Sequence, residues 1–396
     1  MKSEVCKVRD RGAEEVPPEG TVGNAIRPRA SGSLTKGGCD ETSSSLPQEG
    51  GGKLRFAVAE TFRLGDLVYL VAFLYGLREA FPNATIAVLI SEASGQFEFP
   101  ADLGVEVRKA YWPWIRLGWW RRPLRTILDT KRAAEVCGSF DGRWIGLDPR
   151  GDPRHWVALR SVGISTILSA THAKRNIASI RGTPERHVLG MRRDFLEKVV
   201  SRYRGVRPVN LRWPWKQEAG VRRICRERTV LLAPEASHAA KELPGGWWIE
   251  LAQMLRAEGW RTTLIVHKGG VVSERQWGQF DRVFRGTIKE LGQAISEAWA
   301  VVAVDSFVGH LAAAQNCRVV SLFGPTDPKL WRPAGERVAI VRVRQLARRL
   351  SRGESGGGMA APCRLEEAIG ETMSALSALC RDVEGTASLS EVSGAL

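Results

Sequence analysis

The stretch VVAVDSFVGHLAAAQNCRVVSLFGPTDPKLWRP, residues 301–333, decides the fold class. Val301–Val304 is a continuous apolar run, the pattern of a strand buried on both faces of a parallel sheet. It leads straight into Asp305 and Ser306, and helical apolar spacing follows from Phe307 to Asn316. Val319–Phe323 is a second strand, closed by the stiff loop Gly324-Pro325-Thr326-Asp327-Pro328. Strand, helix and strand make a βαβ unit, so both loops share one rim of one sheet. Open α/β sheets bind ligands at that rim. The unpaired N–H groups and positive dipole at the start of the helix favour an anion. His310 stands close enough to the helix start to donate to a phosphate. Equally, Asp305 or Ser306 reads as a helix cap and His310 as a packing residue.

The same grammar extends upstream. Thr229–Ala233 and Thr262–Val266 read as strands, and Trp247–Glu258 and Ile288–Ala298 as helices, the former stopping at Gly259. Nearer the start, Leu54–Ala59 is a strand, Arg63-Leu64-Gly65-Asp66 a turn, Leu67–Phe81 a helix and Thr85–Ile90 a strand. The two α/β halves meet near Pro208–Glu218. Residues 1–52, rich in Gly, Ser, Pro and charge, are expected to be a disordered leader. The Gly- and Ser-rich run Ser351–Gly358 is a break in the chain.

At 396 residues the chain has room for two domains, and 43% hydrophobic content is enough for packed cores. The longest apolar run, Leu67–Leu77, is about half the roughly 20 residues of a membrane-spanning helix. The first residues carry no apolar signal core. The seven cysteines are scattered without CxxC spacing, which argues for a reducing compartment and a cytoplasmic protein. No histidines stand at metal-ligand spacing, so no metal site and no cofactor are expected. A net charge of +15 fits nucleic acid, an anionic membrane surface or phosphorylated substrates, and does not choose among them.

The 301–333 run resembles the signature of glycosyltransferase family nine, the heptosyltransferases of lipopolysaccharide core assembly. That family reads D-[ST]-G-x-x-H-L-x-A-A, then a strand, then [FY]-G-P-T-[DS]-P. Asp305, Ser306, His310, Leu311, Ala313, Ala314 and Gly324 through Pro328 match in order and spacing. Phe307 replaces the family glycine. Ala233-Pro234-Glu235-Ala236 and Lys241-Glu242-Leu243-Pro244 resemble the family's P-G-A … K-x-W-P segment, with Glu235 at the glycine. Arg63-Leu64-Gly65-Asp66 resembles its R-x-G-x-x-G-D turn, shortened, and Leu147-Asp148-Pro149-Arg150-Gly151-Asp152 with His155 its D-L-R-G-x-x-R segment.

The resemblance implies an α/β chain of GT-B architecture, two Rossmann-like domains facing across a cleft. Residues 53–210 would bind the acceptor, 211–345 the nucleotide-sugar, and 346–360 would be a linker. A helix at 361–380 would pack back toward the first domain, before a tail at 381–396. The implied reaction is metal-independent, inverting transfer of a sugar, heptose by family default, from a nucleoside-diphosphate donor to a lipid-anchored glycan. Asp66 would be the base. Lys241, Asp305, Ser306, His310, Gly324, Thr326 and Asp327 would bind the donor, and Arg63 and Arg150 the acceptor. The plainer readings are an N-cap for Asp66, a solvated lysine for Lys241 and a surface arginine for Arg150. The Trp- and Arg-rich run Tyr111–Arg122 suits a membrane-proximal surface on the acceptor side, with core filling as the alternative. Two other classes stay open: a family member retained as a non-catalytic binding module, and a basic polyanion-binding protein that takes nucleic acid, which the transferase reading excludes.

Overall fold

The computed structural model describes residues 53–115, 118–170, 187–204, 228–267, 270–343 and 364–392. The expected leader, the expected linker and the junction near Pro208–Glu218 lie outside them.

Two wholly parallel sheets organise the chain. The first uses β1 (Arg55–Glu60), β2 (Thr85–Ser91), β3 (Val105–Ala110), β4 (Ile145–Asp148) and β5 (Thr166–Ser169), in the order β3-β2-β1-β4-β5. The second uses β6 (Thr229–Ala233), β7 (Arg261–Ile265), β8 (Arg282–Phe284), β9 (Ala300–Val304), β10 (Arg318–Phe323) and β11 (Val338–Arg342), in the order β11-β10-β9-β6-β7-β8. Each order reverses once, between β1 and β4 and between β9 and β6. Those switch points open a crevice beyond the strand carboxyl ends. Apolar clusters cover both faces of each sheet, which is why β9 is an unbroken apolar run and β6 and β10 are nearly so.

Helix α1 (Leu64–Ala80) joins the two halves. Its residues Leu67 through Leu74 are all buried, because it packs on the first sheet, on α4 (Val188–Arg204) and on α7 (Phe307–Ala314) of the second half. A helix that is apolar all round belongs in such an interior. Helices α2 (Pro123–Cys137) and α3 (Pro153–Ser161) cover the other face of the first sheet. Helices α5 (Gly245–Ala257) and α6 (Ile288–Glu297) flank the second sheet, and α8 (Pro328–Trp331) is a single turn after β10.

Two expectations are corrected. The terminal helix α9 runs Ala368–Val392, so it starts later than residue 361 and includes much of the supposed tail. It puts Ala368, Ile369, Met373, Leu376 and Leu379 into the core of the second sheet, against α5, β10 and β11, rather than turning toward the first domain. In the run Tyr111–Arg122, Trp112 and Trp114 are core residues stacked at 5.3 Å. Their indole N–H groups donate to the Ile90 carbonyl at 3.2 Å and to Thr61 Oγ1 at 2.9 Å. Pairing those donors lets such large rings be buried without a polar penalty. Trp119 is half-buried and Trp120 exposed. Among the described residues no helix is long and apolar enough to cross a membrane.

Candidate active site

On the first rim, β1 ends in the fully buried Glu60, and Asp66 stands in the first turn of α1. Its carboxylate does not cap the helix. Asp66 Oδ1 lies 2.7 Å from the Arg150 guanidinium, which also faces Glu60 at 3.7 Å. Arg150 rises from the loop after β4, where Gly151 takes a left-handed φ of 68° and donates its N–H to Asp148 Oδ1 at 2.9 Å. Asp148 also accepts from His155 Nδ1 at 2.9 Å and from Ser169 Oγ at 2.6 Å, so the loop is tied down from three sides. Behind the rim, Glu60 accepts from Arg192 of α4 at 2.6 Å; Arg192 is only 1% exposed. The plain surface-arginine reading of Arg150 is therefore excluded. Arg63 is exposed at the entry to α1, its carbonyl accepting the Asp66 N–H at 3.0 Å.

On the second rim, Asp305 follows β9 and is 5% exposed. Lys241 Nζ reaches its Oδ2 at 2.6 Å, and Thr326 Oγ1 from the loop after β10 donates to the same oxygen. Neither Asp305 nor Ser306 caps α7 through its side chain; the Ser306 Oγ is buried and has no hydrogen-bond partner. Gly324 is buried at the end of β10. Asp327 is exposed, and one oxygen of its carboxylate caps α8 by accepting the Lys329 N–H at 2.9 Å. The two residues at family glycines are also accounted for. Phe307 turns its ring toward Phe97 of the first domain, 6.4 Å away, and packs against that domain's core. Glu235 accepts the His267 N–H at 2.9 Å.

The rims meet. A Cβ on Gly65 would lie 3.2 Å from His310 Cδ2, so glycine lets the Asp66 turn rest against α7. Arg150 lies over the Trp331 ring at 5.7 Å. Tyr69 of α1 donates its O–H to the Arg332 carbonyl at 2.9 Å and sits 2.9 Å from His310 Nδ1. His310 is thus held through Nδ1, with Nε2 toward Asp305 Oδ1 at 3.9 Å on the donor rim. Tyr69, Glu60 and Arg192 escaped sequence reading, since each lies in a run that reads as ordinary core or surface.

The charges are set by their neighbours. Burial would raise the Asp66 carboxyl, but Arg150 and Arg192 outweigh it and hold the group below its ordinary value. Burial wins at Glu60 and raises it, despite Arg192. Burial pushes His310 from 6.5 down to about 4, against the pull of Asp305 and Asp66. Below pH 6.5 the unfolded chain therefore takes up a proton that the folded chain refuses, and stability falls as pH falls toward 4. Between pH 7 and 5 this amounts to about 2 kcal/mol. Denaturant unfolding at the two pH values should show that loss in the parent and a much smaller one in His310→Asn. Equal losses would show that His310 is not held neutral.

Among the described residues no group of three or more His, Cys, Asp or Glu side chains is gathered as metal ligands would be. The architecture is GT-B, two Rossmann-like domains whose ligand rims face each other. The model of glycosyltransferase family 9 (heptosyltransferase) matches residues 210–355. The chain is 25% identical over 308 residues to lipopolysaccharide heptosyltransferase 1 of Pseudomonas aeruginosa, covering 69% of this chain and 80% of that one. The E. coli heptosyltransferase WaaC, solved with ADP-2-deoxy-2-fluoro heptose, superposes with a TM-score of 0.55 at 17% identity, covering 74% of this chain and 94% of that one. The E. coli ADP-heptose lps heptosyltransferase II gives 0.54 at 16%, covering 83% and 99%. Residues 210–355 thus carry the family 9 signature, and the chain resembles lipopolysaccharide heptosyltransferases over most of its length.

Proposed function

We propose that this protein transfers a heptosyl residue from ADP-heptose, with inversion and without a metal ion, to a hydroxyl of a lipopolysaccharide-core or related glycan. The observation that carries the reading is the meeting of the Asp66 turn with the rim that holds Asp305, Lys241 and His310. In the reaction the Asp66 carboxylate takes the acceptor hydroxyl proton as that oxygen attacks the anomeric carbon. The bond from that carbon to the diphosphate oxygen breaks, and ADP leaves. Arg150 keeps the base ionised and aimed. Charge growing on the diphosphate is met by Lys241, by the N–H groups opening α7 and by the Ser306 hydroxyl, a preorganised arrangement that serves the transition state more than the ground state. Asp305 accepts from sugar hydroxyls, and His310 Nε2 faces the donor beside it. Domain closure keeps water from the donor. The scattered cysteines fit a cytoplasmic site of action.

Calorimetric titration with ADP-, GDP- and UDP-sugars tests the donor side. Saturable binding of ADP-heptose, weakened by at least about tenfold in Lys241→Ala, is the expected result. Binding confined to GDP- or UDP-sugars, or none at all, would overturn the donor assignment.

A further inference from the structure

One short segment of the second domain reaches both the donor rim and the base. At its start, Thr326 Oγ1 donates to Asp305 on the donor rim. Asp327 then caps α8 and Pro328 opens it, so the turn that follows is stiff. Trp331 ends that turn with its ring 5.7 Å from the Arg150 guanidinium carbon. The next carbonyl, of Arg332, accepts from Tyr69 of α1 at 2.9 Å and from His187 Nε2, just ahead of α4, at 2.7 Å. Trp331 is half-buried and joins none of the four apolar clusters, so core filling does not account for it.

Arg150 meets a second ring, that of Phe62 just after β1, at 4.4 Å. Phe62 also carries Arg154 at 4.3 Å. Aromatic faces attract a guanidinium and keep water from it, and the Arg150 side chain is only 25% exposed. Less water makes its 2.7 Å pair with Asp66 stronger. Phe62 belongs to the first domain, whereas Trp331 is supplied by the segment tied to Asp305.

We propose that Trp331 is a positioning residue for the base: its ring holds the Arg150 guanidinium against the Asp66 carboxylate, so the base is completed only while the Thr326–Arg332 segment is seated on the donor rim. This role rests on the reading of Asp66 as the base. Asp66 is faced by Arg150 from the loop after β4, by Arg192 from α4, by Glu60 at the end of β1 and by His310 from α7. Removing the ring lets water reach Arg150 and weakens its hold. Burial then raises the Asp66 carboxyl, and activity is lost at a higher pH on the acidic side.

Trp331→Ala and Trp331→Phe test it. In acceptor-dependent ADP release, Trp331→Ala should lower kcat by about tenfold, with donor affinity within about twofold. The acidic limb of kcat/KM should move up by about half a pH unit, and Trp331→Phe should restore most of both. In an Arg150→Gln background, Trp331→Ala should cost less than about twofold more. NMR titration of the Asp66 carboxyl in substrate-free protein, assigned by its loss in Asp66→Asn, should show the same upward shift without any turnover. Identical Asp66 titration in parent and Trp331→Ala would overturn the proposal. So would a kcat loss undiminished in the Arg150→Gln background, or a raised acceptor KM with the limb in place, which would make the ring a substrate contact. A parent that shows the carboxyl shift but no turnover would sink the transferase reading while upholding the hold of Trp331 on Arg150.

Discussion

Replacing Asp66 by asparagine is expected to lower kcat by about 10²–10⁴-fold while donor affinity stays within about twofold. Asparagine keeps the volume and an oxygen for Arg150 but cannot take the acceptor proton. The electrostatics sharpen the test. Arg150 and Arg192 hold Asp66 below the ordinary aspartate value, against the burial that would raise it. The base is therefore fully ionised through neutral and mildly acidic pH, and loses activity only as pH falls through its depressed value. Arg150→Gln removes the nearer of the two cations and lets burial act. The acidic limb of kcat/KM should then move upward toward or past the usual aspartate range, while Asp66→Asn should lack that limb. An Asp66→Asn enzyme with parental kcat would remove Asp66 from the chemistry and leave the Asp66–Arg150 pair as a structural brace.

The second large effect is expected at Lys241. Its change to alanine should cost about 10²–10³-fold in kcat/KM, the usual loss on removing one preorganised charge donor. The same change strips the buried Asp305 of its lysine, leaving the Thr326 hydroxyl on one oxygen and His310 Nε2 3.9 Å from the other. A lone buried charge is costly, so the melting temperature should fall as well. The two consequences separate in the double variant Lys241→Ala with Asp305→Asn. It should recover much of the lost stability, because no uncompensated carboxylate remains, and none of the lost activity. If the double variant regained activity, Lys241 would act only as the counter-ion of Asp305 and not on the leaving diphosphate.

Much of this arrangement was legible in the residues. Apolar runs such as Thr229–Ala233 and Val301–Val304 mark strands covered on both faces, and the chemistry begins where they stop. What escaped reading did so for physical reasons. Strand β3, VEVRKA, lies at a sheet edge and carries charge along its length, so its pattern reads as loop. Strands β5 and β8 are short edge strands. The Glu60–Arg192 pair joins residues 132 apart, and the Tyr69–His310 contact spans 241. A buried arginine looks like a surface one until its partner is placed. Asp327 has a structural role the motif did not announce: one residue before a proline-started turn, its carboxylate satisfies a free N–H of that turn. In the same way, the tryptophan run mixed two populations. Its first members fill the core, and only Trp120 with the following helix faces water.

The most direct measurement is acceptor-dependent release of ADP from ADP-heptose, followed with a heptose-deficient lipopolysaccharide acceptor in the presence of a metal chelator. Release that requires the acceptor, persists with the chelator and collapses in Asp66→Asn is the predicted result. No acceptor-dependent release by the parent, or equal release by parent and Asp66→Asn, would contradict the assignment of this cleft as a heptosyl-transfer site built around Asp66.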